Sequence, residues 1–262
     1  MASGTDRDAA AFLEAATIYD SRQQRGIFEL VRLLKQYDLW SKMKAIYPFV
    51  GGTATTHKWN LKDPRDLDAA FRLTFYGGVT HTSTGAAGNA SNAYADTYIA
   101  TTPNLTENST HLSLYSRTNM QENSQEFAGY SGGNNVTSLF LRYTTNLSGS
   151  ALYSAATGVL ITSTATTDSR GLFVGSRTAV NVHKFYYNGV QRGTTATGTP
   201  TLYAGNTAKI SLFARNVNNT SRELWGSREF AFASAGDGLT DTDVQNLYFA
   251  VQRYQQILGR AV

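Results

Sequence analysis

The chain has 262 residues, a formal charge of +4, 12% aromatic and 16% charged residues, and no cysteine. The missing cysteines exclude a disulfide framework and thiolate metal sites, and the low charge with a Thr-, Ser-, Asn- and Gly-rich middle favours β structure. In residues 1 to 72, eleven Lys/Arg are interleaved with nine Asp/Glu, so the basic stripe that nucleic acid requires is missing and no nucleic-acid partner is expected.

The first segment, "MASGTDRDAAAFLEAATIYD", carries charge inside its only apolar stretch, which fits neither a secretory signal nor a membrane anchor. Residues 6 to 19 have helical character, with Ala9, Phe12, Leu13 and Ala16 near one face. Asp20 and Ser21 then offer an N-cap, and Ile27, Leu30, Val31, Leu34, Leu39 and Met43 recur close to a 3.6-residue period. Two helices in hairpin form are the economical reading. Their apolar stripe must cover either the outer face of the following domain or a partner subunit.

At "KAIYPFVGG" the pattern changes to a short apolar run stopped by Gly51-Gly52, so a boundary near residue 44 separates a helical leader (1–44), read as a docking or oligomerisation element, from a second unit (45–262). From about 75 to 232 short strand-like runs alternate with Gly/Asn/Ser/Thr turns, among them "FRLTFYGG" just before, then "NAYADTYIA", "HLSLYSRTN", "SLFLRYTT", "GVLITSTA", "HKFYYNG", "KISLFARN" and "RELWGSREFAFA". This spacing indicates a β-sandwich or jelly roll. Asn188-Gly189 predicts a type I′ hairpin, because both residues tolerate positive φ. The end reverts to helix: Thr240 is an N-cap with Asp243 three residues on, Val244, Leu247, Tyr248, Val251, Tyr254 and Leu258 form one stripe, and Gly259 is a fitting stop.

Aromatic-Asn-Gly-Val in "FYYNGVQRGTTA", followed by "KISLFARN" and then "FAFASAGDGLTDTDVQNLY", resembles the closing third of laminin-G or concanavalin-A-like jelly rolls, in which an Asn-Gly hairpin precedes the last strands and a Leu-Thr/Ser-Asp helix signal follows them. "IYPFVGG" and "NAYADTYIATTPNLTENSTHLSLYSRT" resemble the family's first and paired strands, so the likeness spans roughly residues 45 to 250. The resemblance implies a mainly β fold, a concanavalin-A-like (laminin-G-type) jelly-roll β-sandwich with an N-terminal α-helical hairpin and a C-terminal helix. The leader-to-domain junction "WSKMKAIYPFVGGTATTHKWNLKDPRDLDAAFRL" is similar to structural proteins of tailed bacteriophages, which implies a virion location, other virion proteins as partners and a homo-oligomer.

Retaining glucanases of this fold carry a Glu-x-Asp-x-x-Glu strand that sets two glutamates about 5 Å apart. The chain has no such motif: Glu122 and Glu126 lie in a polar stretch, and Glu223 and Glu229 are separated by Gly226, so no catalytic residue is assigned. His57, His81, His111 and His183 form no His-x-x-x-His pair and read as surface or hydrogen-bonded residues. Asp237, Asp241 and Asp243 have the oxygen-rich look of a calcium loop without its closing glutamate, and helix capping accounts for two of them. Some relatives of the fold bind calcium at a sandwich edge; no other cofactor is expected. Seven Asn-x-Ser/Thr triplets follow from composition alone.

A binding surface remains. Sugars stack on exposed aromatic faces while amide, acid and guanidinium groups take their hydroxyls. Tyr130, with Asn134 and Asn135 in "GYSGGNN", is the first candidate, followed by Tyr76; Tyr94 and Trp225 read as core residues. The expected function is therefore a non-enzymatic virion structural protein, a capsid decoration or tail component, with host-surface polysaccharide as its candidate ligand. A polysaccharide hydrolase or lyase and a joining protein without ligand are the alternatives.

Overall fold

Helix ends form where the sequence supplies caps. In the computed structural model, which describes residues 6–131, 135–155, 161–162, 165–198 and 207–262, α1 (Arg7–Ala15) and α2 (Ser21–Gln36) make the leader hairpin, and the Asp20 carboxylate accepts from the Gln23 N–H at 2.8 Å. There follow β1 (Met43–Tyr47), the single turn α3 (Ala54–His57), β2 (Thr74–Tyr76), β3 (Thr80–Thr82), β4 (Gly85–Ala87), β5 (Tyr94–Ala100) and a second single turn α4 (Thr101–Asn104). Next come β6 (Thr110–Ser116), β7 (Phe127–Ser131), β8 (Asn135–Phe140), β9 (Gly149–Ala155), β10 (Ile161–Thr162), β11 (Gly171–Ala179), β12 (Val182–Tyr187) and β13 (Val190–Ala196). The chain closes with β14 (Lys209–Leu212), β15 (Arg215–Val217), β16 (Ser221–Glu223), β17 (Glu229–Gly236) and α5 (Asp241–Leu258). Thr240 and Asp243 form the reciprocal capping box of α5, and Gly259 ends it in the left-handed region at φ 69°.

The strands form a jelly-roll sandwich of two sheets. Among the described residues one sheet runs β13-β12-β11-β6-β17-β4-β3, with β1 also on β17; the other runs β10-β9-β8-β7-β14-β5-β2, with the β15–β16 hairpin attached along β7. Among the described residues pairing is antiparallel apart from β15 on β7. At the predicted hairpin Asn188 and Gly189 have φ of 49° and 79°, and Tyr187 pairs with Val190 across the turn. Two sequence-level strands are broken. "KISLFARN" turns at Phe213, which takes φ 68° to bury its ring against Phe230, and "RELWGSREFAFA" divides into β16 and β17, which belong to different sheets.

Two apolar layers hold this together. Between the sheets lie Leu112, Phe127, Leu139, Phe173, Leu212 and Phe230, all fully buried. Over the outer face of the first sheet, Phe12, Ile27, Leu30 and Leu34 of the leader pack with Leu247 and Val251 of α5. The leader's stripe thus covers the sandwich's own outer face, as does that of the terminal helix. Among the described residues no helix is long and apolar enough to cross a membrane.

Charged groups are buried where they tie the ends of the sandwich. Arg228, just before β17, and Glu126, just before β7, are both fully buried and hydrogen-bonded to one another. Arg228 also donates to Ser124 Oγ at 2.9 Å and the Met120 carbonyl at 2.7 Å. Arg260, directly after the α5 stop, is buried and donates to the carbonyls of Phe49, Pro48 and Ala231 at 2.7–2.8 Å.

Candidate functional site

Strand alternation places the candidate surface. In β5 the side chains of Ala95, Thr97 and Ile99 are buried, so Tyr94, Asp96 and Tyr98 stand on the outer face of the second sheet. The edge strand β2 pairs Tyr76 with Tyr94 and Thr74 with Asp96. The two rings stack with centroids 4.7 Å apart and planes at 16°, and Trp225, in the loop after β16, approaches Tyr94 at 6.0 Å and 59°. Tyr76 is 43% exposed and forms the open side of the group.

The turn beside Tyr76 is built to hold it. Gly77 and Gly78 take φ of 68° and 82°, and a Cβ on Gly77 would lie 1.8 Å from the Asn92 carbonyl oxygen. Asn89 ties this edge to β5: its amide donates to the Gly77 carbonyl at 2.9 Å, and its oxygen accepts from the backbone N–H groups of Ser91, Asn92 and Ala93. Burial, together with the neighbouring Tyr98, raises the Tyr76 phenol above its ordinary pKa, so it stays a neutral hydroxyl.

Polar groups surround the rings. The Arg222 guanidinium lies 4.5 Å from the Tyr94 ring centroid and 3.7 Å from the Asp96 carboxylate. Asp96 accepts from the Tyr98 N–H at 2.9 Å, and the Tyr98 hydroxyl is 2.9 Å from Thr74 Oγ1. Stacked aromatic faces beside acid, guanidinium and hydroxyl groups are the elements a pyranose needs.

Of the sequence candidates, Tyr76 belongs to this group. Tyr94 and Trp225, expected in the core, are half-buried on the outer face and join it. Tyr130 lies on β7, with β14 and β5 between it and β2, and its ring carries the Arg215 guanidinium at 5.1 Å. Asn135 is 1% exposed, because β8 begins there between β7 and β9, so its side chain is withdrawn from the surface. Asn134 lies outside the described residues. Sequence reasoning missed Tyr98, Asp96 and Arg222; the period-two pattern of "YADTYIA" was the available signal for the first two.

The remaining candidates are drawn apart by the fold. Glu223 pairs with Arg215 in the second sheet, whereas Glu229 pairs with Arg117 at 2.9 Å in the first. Asp241 faces Lys184 at 2.8 Å, Asp243 faces Lys42 at 2.6 Å, and Asp237 is 3.7 Å from Lys44, so each acid of the calcium candidate has its own lysine. Among the described residues no group of three or more His, Cys, Asp or Glu is arranged to hold a metal. His57 and His81 do meet, with their Nδ1 atoms 3.0 Å apart, while His111 and His183 lie elsewhere in the core.

No protein-family model matches the chain, and no curated protein matches it in sequence. Its fold is similar to solved structures. A botulinum neurotoxin serotype D/C binding domain superposes with a TM-score of 0.54 at 12% identity, over 81% of this chain and 53% of that one. The Trypanosoma rangeli sialidase in complex with sialic acid superposes with a TM-score of 0.51 at 9% identity, over 85% of this chain and 38% of the enzyme. The chain therefore spans about half of the toxin domain and under two fifths of the sialidase, and what it shares with them is the β-sandwich.

Proposed function

We propose that the chain is a non-enzymatic glycan-binding module carried on a bacteriophage particle. The observation that carries the binding reading is the exposed Tyr76 ring stacked on Tyr94 beside Trp225, with Arg222 and Asp96 within reach of sugar hydroxyls. The sialidase that shares the fold was solved with sialic acid bound; in this chain the rings themselves support the reading. The non-enzymatic part is supported by the separation of Glu223 and Glu229 into different sheets, each with an arginine partner.

The particle location is supported by the likeness of the leader junction to phage structural proteins. Repeated display as a homo-oligomer would let individually weak sites act together through avidity. Mass spectrometry of purified phage particles tests it: the chain is expected as a stoichiometric component, and its consistent absence removes the location.

Incubation with a panel of bacterial surface polysaccharides, reading retention and chain length together, tests the function. Retention with intact chains is expected, and Tyr76→Ala or Trp225→Ala should each weaken it about tenfold while leaving the unfolding temperature within a few degrees. Shortened chains would replace this reading with the hydrolase or lyase, and failure to retain any polymer would leave the joining role.

A further inference from the structure

We infer that the polymer held on this face is anionic, a polysaccharide bearing a carboxylate or sulfate on recurring units; the inference rests on the glycan reading above and specifies its ligand class. Cations cluster on the rings of this sheet. Arg222 lies over Tyr94, Lys209 Nζ is 4.8 Å from the Tyr98 ring centroid, and Arg72 approaches the same ring at 5.9 Å.

The acids nearby are already committed, and they leave the Lys209 ammonium over; Arg222 is also engaged by Asn216 Oδ1 at 2.9 Å and the Ser221 carbonyl at 3.0 Å. Arg72 is held by Asp66 at 3.3 Å and Asp68 at 2.8 Å. Asp96 is the only carboxylate within 4 Å of Arg222 among the described residues, and at 3.7 Å it leaves the buried Arg222 Nε without a hydrogen-bond acceptor. Lys209 is half-buried, and among the described residues its ammonium has no carboxylate within 4 Å. An incoming anion therefore meets an ammonium that no carboxylate among the described residues neutralises.

Two cations over two different rings favour a polymer over a single acid. β5 bulges between Tyr94 and Tyr98: Tyr98 takes φ 58°, the stretch from Asp96 to Ala100 lies opposite only Lys209 to Ser211, and the Tyr98 hydroxyl turns back to Thr74, so Arg222 and Lys209 stand over two separate rings of one patch. A chain stacked along Tyr76, Tyr94 and Trp225 passes both cations, so more than one of its charged units meets one. A neutral glycan would use the rings and leave Lys209 idle.

Matched pairs of polymers test this: polygalacturonate, alginate and hyaluronate, each against its fully methyl-esterified form, at low and at about 0.3 M salt, where surface charge is screened within a few ångströms. At least one acid form is expected to bind ten times or more tightly than its ester and to weaken with salt. Lys209→Gln should cost that acid form up to about fivefold, the scale of an exposed ion pair, and cost the ester nothing. Arg222→Gln serves as a second variant, with its unfolding temperature measured alongside. Equal binding of acid and ester forms overturns the charge inference and leaves the glycan reading standing. Acid binding unaffected by either variant also overturns it, because the charge is then read elsewhere. Retention of no polymer, charged or neutral, overturns both.

Discussion

Lowering the pH from 7 to 5 is expected to remove about 2 kcal/mol of folding stability for each of His57, His111 and His183, roughly 6 kcal/mol together. Burial is the first cause in all three: it pulls His57 and His183 down to about 3 and His111 to about 4. The charges facing them modify this. His81 and Arg260 push His57 further down and Arg177 does the same to His183, while the Asp237 carbonyl and the Asp237 and Asp243 carboxylates partly offset the burial of His111, against Lys42.

An unfolded histidine titrates near 6.5. Below that pH the unfolded chain takes up protons that the folded chain refuses, so the stability is complete above about 6.5 and is lost as pH falls towards the folded values. Burial explains the refusal, and hydrogen bonds fix where the single proton sits. His57 Nε2 accepts from the Gly52 N–H at 3.2 Å, so its proton sits on Nδ1, directed at His81 Nδ1. His183 uses Nε2 with Ser150 Oγ at 2.9 Å, and its buried Nδ1 has no acceptor for a second proton. Urea midpoints at pH 7, 6 and 5 measure the loss, and His183→Gln should reduce the pH slope by about a third. The carboxylates Asp241, held low by Lys184 and Tyr186, and Asp243, whose burial is outweighed by Lys42 and Thr240, add their losses only below about pH 4. Equal midpoints at pH 7 and 5 would contradict the account.

Removing Arg228 is expected to cost about 3–5 kcal/mol, because it strands the buried Glu126 carboxylate. Burial pulls the Arg228 guanidinium down to about 10, which keeps it cationic at neutral pH, and Glu122 at 3.3 Å helps hold it so. Glu126 accepts from Ser124 Oγ at 2.6 Å and from the Leu141 N–H at 3.3 Å, so the pair joins the start of β7 to the start of β17 across the sandwich. Arg228→Met should therefore lower the urea midpoint strongly, and Glu126→Leu with Arg228→Met should restore part of the loss, since no buried charge of the pair is then unmatched. A double variant no more stable than Arg228→Met alone would contradict the pairing.

The features legible in the sequence are local ones. Asp20, Thr240 with Asp243, Gly259 and Asn188-Gly189 act within a turn of themselves, and each appears where its chemistry placed it. The face around Tyr76 depends on β2 lying beside β5 and on a loop from residue 225 returning over it, contacts that no local pattern encodes. Tyr94 reads as core because a tyrosine in a strand-like run is usually half-covered, and only its alternation with Ala95 separates the faces. "NMQENSQEF" reads as a solvated loop because charge predicts exposure, yet Glu126 is buried by Arg228, more than a hundred residues away.

The most direct test of the glycan-binding face is the emission of Trp225. The chain has three tryptophans, and Trp40 and Trp59 pack against the helical layer on the far side of the first sheet, so Trp40→Phe with Trp59→Phe leaves Trp225 as the reporter. Titration with the polysaccharide retained most strongly is expected to change its intensity or wavelength saturably, with Tyr76→Ala shifting the midpoint to about tenfold higher concentration. Retention of a polymer with Trp225 emission flat to saturation would place the ligand elsewhere and contradict the account.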